Sequence, residues 1–298
     1  MKGALVIHPG ALGDVLLAVP ALRALRASAN ALTIAAQPRI GALLVALGVT
    51  DRAVAFDTLG LDGLFGDAPL VPHAPLARHL LDAPRVVCWF GARDPHFTRR
   101  LRALAPDAVV AAPTTSAMPV WQHLLQTTGA GATREPITPA PALLDDGGRA
   151  LRAIGWDGAS RVLVLHPGAG GVGKRWPSDG FVRVVEKVDA TLVVHQGPAD
   201  AEAVRAFVER IRRPVLRLVD PSLPTLAGVL AGAARYLGND SGVSHLAAAV
   251  GTPSLVLFTE AALPWKPWSP TAHCLTVTTT ELVGDECRAV RAALSAML

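Results

Sequence analysis

The residues best suited to chemistry lie in the stretch Arg161 to Pro177, RVLVLHPGAGGVGKRWP, where a β-branched and leucine run breaks into glycines and then a basic pair. A buried strand that ends this way delivers bare backbone N–H groups to a crevice, where they can meet an anion such as phosphate. Gly168, Gly173 and Lys174 have the spacing of a Walker A loop, G-x-x-x-x-G-K, but Arg175 stands where Ser or Thr would ligate magnesium. A P-loop helix would also carry Pro177 three residues beyond the lysine, where its missing N–H begins to matter. Pro177 is read instead as the first position of a later helix, PSDGFVRVVEKV, with the loop running on through Trp176. That disfavours a P-loop NTPase. The competing reading is an ordinary strand-to-helix turn whose glycines only reverse the chain.

Three further sites carry suitable residues. Asp14 stands at the tip of the first strand-loop, at the start of a helix, where capping is the default role of an aspartate. Asp240, Ser241 and Gly242 lie between the strand ARYLG and the helix VSHLAAAV. An N-cap is again the default, and the same geometry turns the helix's first N–H groups toward a phosphate. His245, one turn in, reads as a packed core histidine. Gln196, Gly197 and Asp200 follow a strand at 190–195, where the carboxylate could simply sit at a helix N-terminus.

The elements that must position these residues alternate. A strand at 3–8, a helix from 14 or 15 to about 27 loosened by Pro20, a strand at 31–36, a helix at 38–47 and a strand at 52–56 form a βαβαβ series. Residues 57–83 show little periodicity apart from a short helix near 74–82; a strand at 84–90, a helix near 95–104, a strand at 107–112 and a helix over 118–128 complete the half. Residues 129–160 are rich in Pro, Gly and Ala, with a helix near 142–154, and mark the boundary between domains 1–150 and 151–298. The second half repeats the alternation through strand 253–258, and a helix over 280–297 ends the chain. The grammar specifies α/β domains with doubly wound parallel sheets. LVIHPGALGD (5–14) and LVLHPGAGGV (163–172) are near copies, each a strand emptying into His-Pro-Gly-Ala. In Rossmann-like domains such loops lie at the carboxyl end of the sheet, where ligands bind, and two of them would face across an interdomain cleft.

With 298 residues, 51% hydrophobic and 17% charged, the chain can bury two cores. A net charge of +4 and a pI near 9.3 suit anionic small molecules or an anionic membrane surface. No basic stripe with interleaved aromatics supports nucleic-acid binding. Cys88, Cys274 and Cys287 are far apart and without C-x-x-C or a zinc spacing, so they read as reduced thiols of a cytosolic protein. His8, Pro9 and Asp14 interrupt the apolar N-terminus too early for a signal peptide, and no run reaches the length of a membrane span.

GDVLLAVPALRALR (13–26), HPGAGGVGKRWP (166–177) and YLGNDSGVSHLAAAVGTPSLVLF (236–258) resemble, in order and spacing, the motifs of glycosyltransferase family 9, the ADP-heptose:lipopolysaccharide heptosyltransferases. The resemblance implies a GT-B fold of two Rossmann-like domains, acceptor bound by the first, donor by the second, with a last helix that crosses back to the first. It implies inverting, metal-independent transfer of heptose or a related sugar from a nucleotide sugar, ADP-linked, to a phosphorylated lipopolysaccharide inner-core glycolipid, without cofactor, at the cytoplasmic face of the inner membrane. Asp14 would be the catalytic base, with Gly13 beside it at the acceptor. Lys174 would meet the donor diphosphate with Gly170, Gly171, Ser241 and Gly242; Asp240 would serve the sugar or cleft closure; Gln196, Gly197 and Asp200 would hold the nucleoside. Thr259 replaces the family's usual Gly after LVLF, and the Trp265–Trp268 segment is idiosyncratic. An NAD-dependent oxidoreductase, which lacks its G-x-G-x-x-G fingerprint here, and a non-catalytic nucleotide- or sugar-binding homologue are the alternatives.

Overall fold

The computed structural model describes residues 3–67, 75–83, 85–129, 131 and 133–297, so the expected element starts at 74 and 84 lie outside the described residues. The chain divides into two units, Met1–Thr133 and Arg134–Leu298.

The first unit runs β1 (Ala4–Ile7), α1 (Leu12–Leu17), α2 (Val19–Ala27), β2 (Leu32–Ala36), α3 (Pro38–Ala46), β3 (Arg52–Ala55), α4 (Pro75–Asp82), β4 (Arg85–Cys88), α5 (Pro95–Leu104), β5 (Val109–Val110) and α6 (Val120–Gln126). Its strands pair in parallel in the order β3-β2-β1-β4-β5. The second unit runs α7 (Pro141–Ala153), β6 (Val162–His166), α8 (Ser178–Val185), β7 (Thr191–Gln196), α9 (Ala201–Val208), β8 (Val215–Val219), α10 (Leu223–Gly232), β9 (Arg235–Asn239), α11 (Gly242–Ala249), β10 (Ser254–Phe258), β11 (Ala272–Thr276) and α12 (Gly284–Ala296). Its parallel sheet, read from β8, is β8-β7-β6-β9-β10-β11. This repeats the order of the first sheet with one strand added, the doubly wound arrangement the alternation predicts.

The first strand of each unit is central in its sheet and is covered on both faces. That is why ALVI and the first four residues of VLVLH are apolar and do not alternate: every residue of β1 and β6 is buried, His166 at the end of β6 included. Leu5, Ile7, Phe97 and Leu101 belong to the core of the first unit, and Leu165, Trp176, Phe181 and Phe207 to that of the second. In each sheet the chain order reverses beside this central strand, which opens a crevice at the carboxyl ends. Both His-Pro-Gly-Ala copies sit there.

Three features differ from the sequence-based expectation. The helix expected from Asp14 to Ala27 is two, because Pro20, which has no N–H to give an interior turn, is accommodated in the first turn of α2. The break between units falls before α7 and not after residue 150. Ile137 N–H donates to Ala249 C=O at 2.7 Å, and α7 lies so close on α10 that Gly147 and Gly228 meet backbone to backbone. The last helix, α12, packs on α8, with Cys287, Val290 and Leu294 in the core of the second unit and Arg235 Nε donating to Met297 C=O at 3.1 Å. It stays with its own unit because its apolar face is already covered there. Among the described residues no helix is long and apolar enough to cross a membrane.

Candidate functional site

The loop after β6 crosses its crevice under restraint at both ends. Asn239, fully buried at the end of β9, donates from Nδ2 to Pro167 C=O at 2.8 Å and accepts Trp176 N–H on Oδ1 at 3.0 Å. One amide thus holds the start and the finish of the loop. Trp176 inserts against Phe181, and Thr279 Oγ1 donates to Gly173 C=O at 2.9 Å. Between these anchors Gly170 and Gly171 are exposed, with open space where a side chain would be. Their backbone is free to approach a ligand. Lys174 ends a single 3₁₀ turn, Val172–Lys174, and Pro177 caps α8 from outside, so the lysine is not in a helix as in a P-loop.

Lys174 Nζ reaches back to Asp240 Oδ2 at 2.7 Å, and His245 Nε2 lies 3.8 Å from Asp240 Oδ1. Asp240 is 5% exposed. Burial opposes its ionisation, but the hydrogen bonds and charges of His245 and Lys174 prevail and hold its carboxyl below the usual range. Lys174 remains half exposed, so it can change partners. Next in the chain, Ser241 caps α11 with its hydroxyl on Ser244 N–H, while Tyr236 Oη and Ser244 Oγ meet underneath at 2.8 Å. Ser241 and Gly242 are partly exposed at this helix start. The structure therefore gathers Gly170, Gly171, Lys174, Asp240, Ser241 and Gly242 around the crevice of the second sheet: a cation, a buried anion, open glycines and a helix N-terminus. Such a set has the chemistry to receive an anion such as a phosphate ester.

The third donor group is arranged differently. Gln196 is partly exposed and accepts Arg217 Nη2 at 2.8 Å, and Gly197 is buried. Asp200 turns inward. Its Oδ2 accepts Gly197 N–H at 2.9 Å, and its other oxygen fills the space where Gly168 would carry a Cβ, which explains why residue 168 is glycine. Above it His166 and His195 touch Nδ1 to Nδ1 at 3.1 Å, and burial pushes both well below the ordinary histidine pKa, so the pair shares one proton between neutral rings. Arg175 leaves the loop for Glu202 at 3.3 Å.

In the first unit, Asp14 lies in the first turn of α1, whose N-cap is Ala11, so it does not cap the helix. Gly13 and Asp14 are partly exposed, and the Asp14 carboxylate has no hydrogen bond or ion pair among the described residues. It is an uncommitted base. Behind it His8 is buried, and burial pushes it down to about 4 against the pull of Asp14's charge and backbone.

Asn239 and the buried histidines 8, 166 and 195 are absent from the sequence-derived site. The repeated His-Pro-Gly-Ala signals His8 and His166, and the asparagine ending YLGN signals Asn239; His195 has no such motif, and nothing local says which loop a side chain will tie.

The family model for glycosyltransferase family 9 (heptosyltransferase) matches residues 91–289. Lipopolysaccharide heptosyltransferase 3 of Escherichia coli K12 is 30% identical over 132 residues, a match that covers 41% of this chain and 37% of that relative. Among solved structures, a family 9 glycosyl transferase of Veillonella parvula superposes with a TM-score of 0.78 at 16% identity, covering 99% of this chain and 97% of the other. E. coli ADP-heptose lps heptosyltransferase II superposes with a TM-score of 0.77 at 17% identity, covering 100% and 98%. These likenesses show a GT-B fold.

Proposed function

The chain belongs to glycosyltransferase family 9, and from that premise we propose that it moves heptose, or a related sugar, from an ADP-linked donor to a phosphorylated lipopolysaccharide inner-core acceptor, with inversion. The observation that carries this reading is the Lys174–Asp240 pair beside the open glycines and the start of α11. The donor base is read from the ADP-heptose that names the E. coli relative of the same fold.

In this mechanism the acceptor hydroxyl attacks the anomeric carbon on the face opposite the diphosphate while Asp14 removes its proton, a step worth roughly 10² to 10⁴ in rate. The bond from the anomeric carbon to the diphosphate oxygen breaks, and ADP leaves with the electron pair. Lys174 exchanges Asp240 for the departing phosphate, whose growing charge is met by the cation and by the N–H groups of Gly170, Gly171, Ser241 and Gly242. No metal is needed for that step. Asp240, released from Lys174, is then available to a sugar hydroxyl, and Gln196, Gly197 and Asp200 shape the nucleoside end. The acceptor is a glycolipid, so the reaction takes place at the cytoplasmic membrane surface.

Thermal shift with ADP, GDP, UDP and NAD is the first test: ADP at 100 times its Kd is expected to add about 2.7 kcal/mol of stability. Asp14→Asn should keep that shift and lose turnover of ADP-heptose. Stabilisation by NAD alone, or full turnover in the variant, would defeat the reading.

A further inference from the structure

The loop between β1 and α1 contains a buried side-chain nitrogen that no hydrogen bond satisfies among the described residues. His8 follows the last residue of β1, and its own N–H continues the sheet by donating to Ala35 C=O at 2.9 Å. Its Nδ1 accepts Gly10 N–H at 3.3 Å, so in the neutral ring the proton resides on Nε2. That Nε2 is shielded from solvent and makes no hydrogen bond of good geometry among the described residues, although the Asp14 backbone lies near enough to favour the protonated ring. A buried donor left unmade costs about 1–3 kcal/mol, a cost without return unless a partner arrives.

The surroundings identify the partner. A Cβ on Gly10 would lie 2.7 Å from His8 Cε1, 3.0 Å from His8 Nδ1 and 3.0 Å from Asp14 Cβ, so the Nδ1–Cε1 edge of the imidazole and the stem of Asp14 border the same notch, with Nε2 next to Cε1 in the ring. Residue 10 must be glycine for the two to meet. Trp89 closes the other side, edge to face with the imidazole at 5.5 Å, and is itself fixed by Nε1 donating to Thr127 Oγ1 at 2.9 Å. Of the groups that face His8, Trp89 and Gly10 are uncharged and Asp14 on α1 is the charged one.

We propose that His8 is a positioning residue for Asp14: its Nε2–H donates to one oxygen of the Asp14 carboxylate and leaves the other turned to the acceptor hydroxyl. The proposal rests on Asp14 acting as the base. His8 keeps its proton throughout, and the proton of the acceptor goes to Asp14. A carboxylate held this way spends less of its encounter time misaligned.

Two side chains separate the halves of the imidazole. His8→Asn keeps an acceptor for Gly10 N–H and drops the Nε2 donor; His8→Gln keeps an N–H at the Nε2 position and drops the Gly10 bond. With ADP-heptose and an inner-core acceptor, His8→Asn is expected to lower kcat about 10- to 100-fold, with donor KM and the ADP thermal shift unchanged. His8→Gln should recover most of the loss, and His8→Asn should cost nothing further in an Asp14→Asn background. Independently of turnover, imidazole ¹⁵N shifts of the wild-type protein should report the Nε2–H tautomer and should change on Asp14→Asn. An Nδ1–H tautomer, ring shifts indifferent to Asp14→Asn, or wild-type kcat in His8→Asn would each overturn the proposal. Full turnover in Asp14→Asn would instead remove the base and the proposal with it.

Discussion

Replacing Gly228 by alanine sets two effects of opposite sign against each other. Position 228 is inside α10, where alanine is preferred to glycine by about 1 kcal/mol on propensity alone. The tertiary structure argues the reverse. A methyl group there would collide with the Leu143 carbonyl oxygen, lie 2.8 Å from its carbon and stand 3.2 Å from Gly147 N. Ordinary contact begins at 3.4 Å, and all three are backbone atoms that no side-chain rotation can move. The helices must separate. Overpacking of this kind costs about 1–3 kcal/mol, and a clash with backbone belongs at the upper end, so after the propensity gain of about 1 kcal/mol the net change should be a loss of about 1–2 kcal/mol. Gly147→Ala meets Gly228 O at 2.7 Å and should behave alike. Gly148, one residue along α7, is the control: its nearest neighbour is the Arg152 guanidinium at 3.3 Å, a flexible tip that can swing away. Urea midpoints by far-UV circular dichroism, measured on all three variants, should fall for 228 and 147 and hold or rise for 148. If Gly228→Ala rises with Gly148→Ala, the close crossing that binds α7 to the second unit does not exist.

Other consequences are quickly checked. Asn239→Ala would leave Trp176 N–H and Pro167 C=O unpaired in the interior, costing about 1–3 kcal/mol for each group, with a lower melting temperature and weaker ADP binding in a titration. Lys174→Met should change the ligand-free stability by no more than about 1 kcal/mol, because the lysine is half exposed, yet abolish most of the thermal shift with ADP. A full shift in that variant would take Lys174 out of the diphosphate site. His8 is held near pKa 4 by burial, against an unfolded value of 6.5. Below 6.5 the unfolded chain therefore binds the proton first. Stability is complete above about pH 7 and falls as pH drops through 6.5 toward 4, by about 3 kcal/mol from this residue, with His166 and His195 adding in the same direction. Unfolding midpoints that are flat between pH 7.5 and 4.5 would contradict the burial of these rings.

The local features of the chain fixed a good deal. Apolar runs broken by glycine placed β1 and β6, their lack of alternation marked them as covered on both faces, and the alternation of strand and helix specified two parallel sheets. The loop that carries Lys174 and the helix start at Ser241 and Gly242 were legible for the same reason: a glycine loop and a helix start are properties of a few consecutive residues. Long-range contacts were not legible. Whether α7 belongs to the first or the second unit is settled by two glycines about eighty residues apart in sequence, Gly147 and Gly228. Asp14 looked like a cap and is a free carboxylate, because Ala11 begins the helix. Asp200 looked available and instead fills the space above Gly168. The sequence by itself determined which residues could contact a phosphate; only the tertiary structure decided which side chains remain free to do so, since burial and pairing depend on partners that arrive from elsewhere in the chain.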